Sequence, residues 1–520
     1  LRTDTAAVRD AVTAAGVLEH LEAFQAIADA NGDTRASSTP GYDASADYVA
    51  DLLGAAGYEL TRQSFEFPFF QELSPAEFER VSPDPETYVE GDDFLVMEYS
   101  GAGDVTAVVQ PVNDIVIPPG GADTSTAGCE AADFSDADFT GTIALIQRGS
   151  CTFAQKALNA EDAGAVGVII FNEGQDGRTA TVNGTLGAPE STIPVVGASF
   201  AVGEELYQLS QTGPVVVRLF ADTLSEIRST ENVIAETTTG RADRVMVVGA
   251  HLDSVPEGPG INDNGSGSAT ILEIALQMAE LGQTPRNRVR FAFWGAEESG
   301  LLGSEHYVAT STQQELNRIF LNLNFDMVGS PNYVRFVYDG DGSATGASGP
   351  SGSGQIERVF TSYFASEGLE SAPTAFDGRS DYGPFIQAGI PAGGLFTGAE
   401  GAKTAAQAET YGGLATFDPD GAGDAEPEAV AYDPCYHERC DELDQDLDAD
   451  DAALYEALNA AYDGALVGNV NTLALDEMSD AAAHAVWTFA QTESAVQGTS
   501  RASEAAKAYG FDFVGPSAIR

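Results

Sequence analysis

The sequence predicts an α/β protein in which a mixed, largely parallel sheet flanked by helices is interrupted by an inserted, mainly β domain. After Glu231, apolar strand-like runs alternate with helical patterns, which is typical of parallel strands covered on both faces. Between residues 68 and 220, by contrast, short β-like runs are separated by Gly, Asp and Pro turns. The 520 residues, of which 43% are hydrophobic, are enough for two domains with separate cores.

The individual elements are predicted in chain order from the spacing of apolar residues. Residues 5–65 have a helical pattern that leads into a candidate strand at 59–67. The inserted domain has candidate strands at 105–112, 141–147, 166–171 and 214–219. The rest has candidate strands at 244–250, 288–294, 318–326 and 389–396, with helices at 266–281 and from residue 301 onward. We therefore assign residues 1–67 and 221–495 to one domain, 68–220 to the inserted domain and 496–520 to a C-terminal tail with little periodicity.

Charge and hydropathy argue against two classes of partner. Eighty acidic residues oppose 24 basic ones, a formal charge of −56, so nucleic acid would be repelled. The acidic residues are spread along the whole length, which favours a solvated acidic surface over a specific cation-binding patch. No run approaches the roughly 18 apolar residues expected of a membrane span.

The four cysteines form two sequence-local pairs, Cys129 with Cys151 and Cys435 with Cys440. A zinc cage is the alternative to two disulfides, but neither pair has CxxC spacing and the pairs lie far apart in the sequence. We therefore expect two disulfides and an oxidising, extracytoplasmic location.

Residues that bind metals well follow three of the predicted strands: His251 and Asp253 the first, Glu297 and Glu298 the second, and Asp326 the third. Because the carboxyl ends of parallel strands meet at one edge of a sheet, these side chains are expected to lie close together. Such a group of carboxylates needs a cation, since repulsion would otherwise drive protonation at about 1.4 kcal/mol per pKa unit. Taken singly, each motif has a structural explanation as a turn, a helix start or a helix cap. Only the combination favours a metal site.

The remaining histidines differ in their surroundings. His437 lies in the hexapeptide CYHERC at 435–440, where a small disulfide loop would display it. His20, His306 and His484 lie in helical stretches without a comparable cluster of acids, and we interpret them as structural.

These residues belong to motifs that, in order, resemble peptidase family M28, the two-zinc aminopeptidases. The motifs are GAHLDS (249–254), INDNGSG (261–267), WGAEE (294–298) and LNFDM (323–327). Similarity to secreted actinobacterial leucine-type members continues through DGRSD (377–381), CYH (435–437) and DAAAHA (480–485). The resemblance covers roughly residues 15–65 and 228–490 and implies the zinc-exopeptidase fold.

The inserted segment has a resemblance of its own, to a protease-associated (PA) domain. Cys129 and Cys151 flank the run IALIQRG at 143–149, and AGAVGV follows at 163–168. The usual role proposed for such insertions is to shape substrate access or to contact partners. Nothing in this stretch offers metal ligands or a nucleophile.

The resemblance implies a role for each matching residue. Asp263 would bridge two zinc ions, His251 and Asp326 would complete one of them, and Glu298 and His437 the other. Asp253 would accept the second ring N–H of His251 and fix its tautomer. Glu297 would move protons beside the bridging water.

Further residues are implied around the substrate. Tyr436 would donate a hydrogen bond to the developing oxyanion, Met327 and Phe396 would form the pocket for a leucine-like side chain, and Asp377 and Arg379 would contact the substrate. The family's second ammonium anchor, a glutamate shortly before the DGRSD motif, is missing, because residues 373–376 are PTAF. Asp476 and Asp480 match calcium-binding positions, with helix capping as the alternative.

The sequence thus predicts a secreted, monomeric two-zinc aminopeptidase that acts on peptides with a free N-terminus and preferably removes leucine-like residues. One alternative is a carboxypeptidase or dipeptidase of the glutamate-carboxypeptidase type, but no arginine cluster is available to bind a substrate carboxylate. The other is a non-catalytic, receptor-like relative. Retention of all five ligands and the base argues against it.

Overall fold

The computed structural model describes residues 3–418, 427–493 and 496. These form two compact units, a discontinuous unit of residues 3–65 and 229–496 and an inserted unit of residues 66–228. The units change at 65/66 and 228/229, where the sequence predicts 67/68 and 220/221. The predicted tail at 496–520 lies outside the described residues, apart from Val496.

Several of the helices are capped by the side chain of a Thr, Ser, Asp or Asn. They are α1 Ala6–Ala11, α2 Ala14–Ala30, α3 Pro40–Ala55, α4 Phe153–Asp162, α5 Phe200–Ser210, α6 Gly267–Glu280, α7 Leu302–Thr310, α8 Gln313–Arg318, α9 Ser353–Glu367, α10 Tyr382–Gln387, α11 Ala405–Tyr411, α12 Ala449–Ala461 and α13 Thr472–Gln491.

The strands range from two-residue pairs to long ribbons. They are β1 Glu59–Ser82, β2 Glu86–Tyr88, β3 Phe94–Val96, β4 Gly103–Pro111, β5 Ile143–Gln147, β6 Gly167–Phe171, β7 Val195–Ala198, β8 Val216–Glu236, β9 Arg241–His251, β10 Asn287–Trp294, β11 Ile319–Phe325, β12 Phe336–Tyr338, β13 Ala372–Thr374, β14 Ala392–Phe396, β15 Thr416–Phe417, β16 Glu428–Ala429, β17 Leu466–Val467 and β18 Val470–Asn471.

In the discontinuous unit, the sheet has the order β13-β12-β14-β11-β9-β10, and the end of β8 pairs with β10. The pairs β10/β9, β9/β11, β11/β14 and β12/β13 are parallel, whereas β12/β14 and β10/β8 are antiparallel. The prediction of a mixed, largely parallel sheet is therefore confirmed.

The central strand β9 is buried on both faces because helices cover both sides of this sheet. Val248 packs in one core cluster with Leu272 of α6 and Met478 of α13. Val247, the next residue back, points to the opposite face and packs with Phe385 of α10. This double burial explains why the strand is a continuous apolar run rather than an alternating one.

The inserted unit contains a sheet of order β4-β5-β6-β7-β3, to which the start of β8 adds beside β4. Three of its pairings are parallel, and the helices α4 and α5, which the apolar spacing does not predict, accompany them. The disulfide Cys129–Cys151 lies in this unit and Cys435–Cys440 in the other, with Cα separations of 5.8 and 5.4 Å. Both predicted disulfides are present. Among the described residues, no helix combines the length and apolar character needed to cross a membrane.

Candidate metal centre

Three neighbouring parallel strands bring the predicted ligands to one edge of the sheet. β9 ends at His251, while Glu297 and Glu298 follow the end of β10 and Asp326 follows β11. Because β10, β9 and β11 run in the same direction, these four residues meet at their carboxyl ends. The fifth residue, Asp263, lies in the irregular turn at 261–266 that leads into α6.

Two residues next to the predicted ligands adopt a backbone conformation that is rare for non-glycine residues. Ala296, before Glu297, and Met327, after Asp326, both have φ of 52°. The left-handed conformation costs about 1 kcal/mol or more per residue, so specific contacts must stabilise it. The N–H of Ala296 donates to Ser37 Oγ at 2.7 Å, and the N–H of Met327 donates to Asn264 Oδ1 at 3.0 Å.

The first half of the centre surrounds the buried ring of His251. Its Nε2 lies 3.3 Å from Asp263 Oδ1, 3.3 Å from Asp326 Oδ1 and 3.8 Å from Glu297 Oε2. Its Nδ1 faces Asp253, 3.1 Å from the backbone carbonyl oxygen and 3.5 Å from Oδ1. A proton on Nδ1 satisfies these acceptors and leaves the Nε2 lone pair for a metal ion.

The second half of the centre is formed by His437, whose side chain is 37% exposed and whose φ is 59°. Its Nε2 lies 3.0 Å from Glu298 Oε2 and 3.2 Å from Asp263 Oδ2. Asp263 therefore directs one carboxylate oxygen toward each histidine. This is the arrangement of a carboxylate that bridges two cations.

The donor atoms fit metal ions in chemistry as well as in position. Imidazole nitrogens and carboxylate oxygens are the ligands that zinc takes in catalytic sites. Among the described residues, the buried atoms Asp326 Oδ1 and Glu298 Oε1 have no hydrogen-bond partner. Buried acceptors are rarely left in this state, so a cation that accepts their lone pairs accounts for both.

The pKa values of the metal-free centre also indicate that a cation is needed. Burial raises the pKa of Glu298 to about 7 and that of Glu297 well above its ordinary value. Burial by itself lowers the pKa of His437, but the charges of Glu298 and Asp263 raise it to about 11. Without a cation, the centre therefore takes up protons, which a bound metal would displace.

Asp253 also positions the two glutamates. Its Oδ1 accepts the backbone N–H of Glu297 at 3.2 Å, and its Oδ2 accepts that of Glu298 at 3.4 Å. One buried carboxylate therefore contacts both His251 and the turn that carries Glu297 and Glu298.

Two of the residues implied in substrate binding, Tyr436 and Arg379, lie beside His437. The Tyr436 ring stacks on His437 with centroids 3.9 Å apart, and its hydroxyl accepts from Arg379 Nη2 at 3.2 Å. Arg379 Nη1 donates to Glu400 Oε1 at 2.7 Å. Asp377 is exposed, and its Oδ1 accepts from the Tyr382 hydroxyl at 2.8 Å.

The two apolar residues of the implied pocket differ in exposure. Met327 is only 2% exposed, whereas Phe396 is partly exposed and stacks on Phe336 with centroids 5.9 Å apart. Tyr432 meets Phe336 edge-on at 5.4 Å. An aromatic surface therefore surrounds Phe396.

The pair of aspartates with an implied calcium role lies elsewhere, on α13. Asp476 is exposed and Asp480 is partly buried. Burial, followed by the charge of Asp476, raises the pKa of Asp480 to about 6, and Arg9 opposes this. Helix capping does not explain these aspartates, because Asn471 caps α13 by accepting from two backbone N–H groups.

Several polar residues around the centre are not predicted from the sequence. Ser380 donates to Asp326 Oδ2 at 2.5 Å, and Ser304 donates to the buried Asp381 at 2.5 Å. Both Ser380 and Asp381 belong to the DGRSD motif, which is the signal that could have found them. Arg35 is fully buried and donates to three backbone carbonyls between residues 252 and 260, in the segment that joins His251 to Asp263. No sequence motif indicates it.

Comparison with known families and proteins identifies relatives of both units. The family model described as Peptidase family M28 matches residues 232–462, and the PA domain model matches residues 108–206. An aminopeptidase of Pseudomonas aeruginosa is 48% identical over 430 residues, covering 82% of this chain and 76% of that protein. A probable lipoprotein aminopeptidase of Mycobacterium tuberculosis is 44% identical over 446 residues, covering 84% of this chain and 82% of that protein.

Solved structures share the fold. The aminopeptidase from Aneurinibacillus sp. strain AM-1 superposes with a TM-score of 0.62 at 24% identity, over 95% of this chain and 97% of that one. A zinc aminopeptidase from Bacillus subtilis superposes with a TM-score of 0.52 at 24% identity, over 92% and 95%.

Proposed function

We propose that this chain, which belongs to peptidase family M28 and is a metallo-aminopeptidase, uses two zinc ions held on either side of Asp263. The observation that carries this proposal is the divided carboxylate of Asp263, with Oδ1 3.3 Å from His251 and Oδ2 3.2 Å from His437. The proposed ligands are His251 and Asp326 on one side, Glu298 and His437 on the other, and Asp263 between them.

When bound, the two ions would supply a polarised substrate carbonyl and a water of lowered pKa. The chain's own residues handle the proton. Glu297 is buried, and burial raises the pKa of its carboxyl, so it is suited to accept a proton from the attacking water and to return it to the departing amine. Its nearest histidine nitrogen, His251 Nε2, is 3.8 Å from Oε2, a separation that places Glu297 beside the ligands.

Tyr436 is proposed to stabilise the oxyanion that develops on the substrate carbonyl. Its oxygen already accepts a hydrogen bond from Arg379 Nη2, so its own O–H proton is left to donate. A donor that is oriented in advance can contribute about 3 kcal/mol to transition-state stabilisation.

Two arguments bear on the substrate. The guanidinium of Arg379 is engaged by Glu400 and Tyr436, which disfavours a grip on a substrate carboxylate and hence a carboxypeptidase. Met327 and Phe396, with the aromatic surface around Phe396, support a preference for leucine-like first residues. Asp377, which is exposed and accepts a hydrogen bond from the Tyr382 hydroxyl, is the proposed anchor for the substrate ammonium group.

We further propose that the protein is secreted and that calcium binds near Asp476 and Asp480. The two disulfides support the first proposal, because such bonds persist in oxidising surroundings. For calcium, the melting temperature in calcium should exceed that in a calcium-selective chelator. Equal values would remove the claim.

Metal analysis with a leucine-anilide assay tests the central proposal. We expect two zinc ions per chain, activity abolished by a chelator and restored by zinc, and no cleavage of N-acetylated leucine-anilide. One zinc per fully active chain would refute the two-zinc arrangement. Equal cleavage of the acetylated substrate would refute recognition of the free amine.

A further inference from the structure

Two buried aspartates flank the disulfide loop that carries Tyr436 and His437. Asp433 lies two residues before Cys435, and Asp441 directly follows Cys440; both are at most 2% exposed. Neither aspartate is a proposed ligand. Their hydrogen bonds nevertheless lead to the residues that hold the centre together.

Asp441 binds the backbone on which Asp263 is mounted. Its Oδ1 accepts the N–H of Asn262 at 2.8 Å, and its Oδ2 accepts the N–H of Asp263 at 2.9 Å. The N–H of Ile261 also donates to the Asp441 carbonyl oxygen at 3.1 Å. Three contacts from one residue therefore fix the start of the turn at 261–266.

Asp433 links the same turn to the start of the disulfide loop. Its Oδ2 accepts from the side-chain amide of Asn262 at 2.6 Å, and its Oδ1 accepts the backbone N–H of Cys435 at 2.9 Å. The two aspartates thus join both ends of the disulfide loop to the Asn262-Asp263 backbone.

Asn469, at the tip of the β17–β18 hairpin, joins the two carboxylates to each other. Its Nδ2 lies 2.8 Å from Asp441 Oδ1 and 3.0 Å from Asp433 Oδ1. The hydroxyl of Tyr455 donates to Asn469 Oδ1 at 2.5 Å, which fixes the orientation of the amide. Asn469 is fully buried, so these contacts replace those with water.

We propose that Asp433, Asp441 and Asn469 form an aspartate clamp that sets the position of Asp263 relative to His437. The clamp residues are positioning residues: they act through the bridging carboxylate and the disulfide loop and touch neither metal nor substrate. This inference rests on the proposed two-zinc centre. The clamp determines how tightly the zinc ion between Asp263, Glu298 and His437 is bound.

The clamp matters because His437 lies in an irregular loop and not on a helix or strand. Its ring is partly exposed and its backbone is in the left-handed region, whereas a zinc ligand must lie within about 0.2 Å of its ideal distance. Removing residues that orient metal ligands typically weakens metal affinity by about 10- to 100-fold.

The test compares two variants that break the clamp in different ways. Asp441→Asn keeps the shape but leaves one acceptor oxygen for two backbone N–H groups. Asn469→Leu breaks the bridge between the carboxylates without changing formal charge. We expect each variant to bind one of its two zinc ions about 10- to 100-fold more weakly, measured by titrating the metal-free protein against a competing chromophoric chelator.

Asp339→Asn is the matched control. Asp339 is also fully buried and accepts three backbone N–H groups, from residues 343–345, and none of these contacts reaches the metal centre. It should lower the melting temperature without changing either zinc affinity. The proposal is overturned if Asp339→Asn weakens zinc binding as much as the clamp variants, or if Asn469→Leu and Asp441→Asn both bind zinc as the wild type does.

The possible results distinguish the clamp proposal from the two-zinc proposal on which it rests. A wild-type chain that binds a single zinc ion refutes the two-zinc centre, and the clamp with it. A wild-type chain with two ions and clamp variants of unchanged affinity refutes the clamp alone. Weakening by Asp441→Asn but not by Asn469→Leu would assign positioning to Asp441 alone and would overturn the three-residue clamp.

Discussion

The two halves of the metal centre reach the same carboxylate from different kinds of structure. His251 ends a central strand that is buried on both faces, and its side chain is 1% exposed. His437 lies on a disulfide loop, and its side chain is 37% exposed. Packing of the sheet therefore positions the first proposed ligand, whereas local hydrogen bonds and a covalent link position the second. The two proposed ligands thus depend on unrelated parts of the sequence.

The largest expected effect concerns Glu297, the proposed base. Glu297→Gln should lower kcat by about 10²- to 10⁴-fold, because an amide keeps the shape but cannot carry the proton. Zinc content and melting temperature should stay those of the wild type. Glu280→Gln, at an exposed glutamate of α6, is the control and should be fully active. Zinc loss in Glu297→Gln would show that the side chain is a ligand rather than the base.

The difference in support between His251 and His437 is tested by removing each histidine in turn. In the metal-free protein, His251→Ala should cost about 3–5 kcal/mol, because it leaves buried carboxylates without their counter-charge. His437→Ala should cost less, about 1–3 kcal/mol, because water reaches the 37% exposed ring although its partners Glu298 and Asp263 are buried. Urea unfolding of both variants measures the difference. Equal costs would mean that the two halves are supported alike.

The same contrast explains which parts of the centre the sequence could predict. His251, Glu297, Glu298 and Asp326 are predictable because each follows an apolar run, and parallel strands bring such positions to one edge. Asp433, Asp441 and Asn469 are not, since their partners are backbone groups in a distant turn, and no local pattern marks an aspartate that accepts a remote N–H. Arg35 cannot be predicted for the same reason, because its acceptors are backbone carbonyls more than 200 residues away in the sequence.

The fold shows a similar division. Strong apolar runs predict β9, β10 and β11, but α4 and α5 of the inserted unit are missed. The burial pattern explains this: α4 buries only Lys156, Ala157 and Ala160, a stripe too weakly apolar to stand out as a helical repeat. Tertiary contacts decide such segments, and they are absent from any single window of sequence.

The two disulfides should rank in opposite order for their effects on stability and on zinc binding. Loop closure predicts that losing Cys129–Cys151, with a sequence separation of 22, costs about 3 kcal/mol, and losing Cys435–Cys440, with a separation of 5, about 2 kcal/mol. Yet only the second loop carries His437. The double Ser variant at 435 and 440 should lose about tenfold in zinc affinity, whereas that at 129 and 151 should keep it. Chelator competition and thermal melts on both variants check this, and zinc loss in the 129/151 variant would contradict it.

A smaller effect is expected where the substrate amine binds, outside both halves. Asp377 stands without the second acid that the resemblance implies, so Asp377→Asn should raise KM by about tenfold or more and change kcat little, in line with 1.5–3 kcal/mol for a charged hydrogen bond. Steady-state kinetics on leucine-anilide measures both constants. A fall in kcat at unchanged KM would place Asp377 in the chemistry instead of in binding.

The smallest effect on activity is expected at Lys403, which supports the segment leading to the disulfide loop. Its backbone N–H donates to Val430, and its buried ammonium donates to the Tyr333 carbonyl at 2.7 Å and to the Tyr462 hydroxyl at 2.9 Å. Burial lowers the pKa of Lys403 from 10.5 to about 7. Between these two values the unfolded chain binds more protons than the folded one, so the contribution of Lys403 to stability rises with pH, by at most about 1.4 kcal/mol per pH unit.

Lys403→Met removes this titration. The free energy of unfolding of the wild type, relative to that of the variant, should therefore increase from pH 7 to pH 9 while both remain active. A difference that is constant or falls over that range would show that Lys403 stays charged in the folded protein and that its hydrogen bonds compensate fully for its burial.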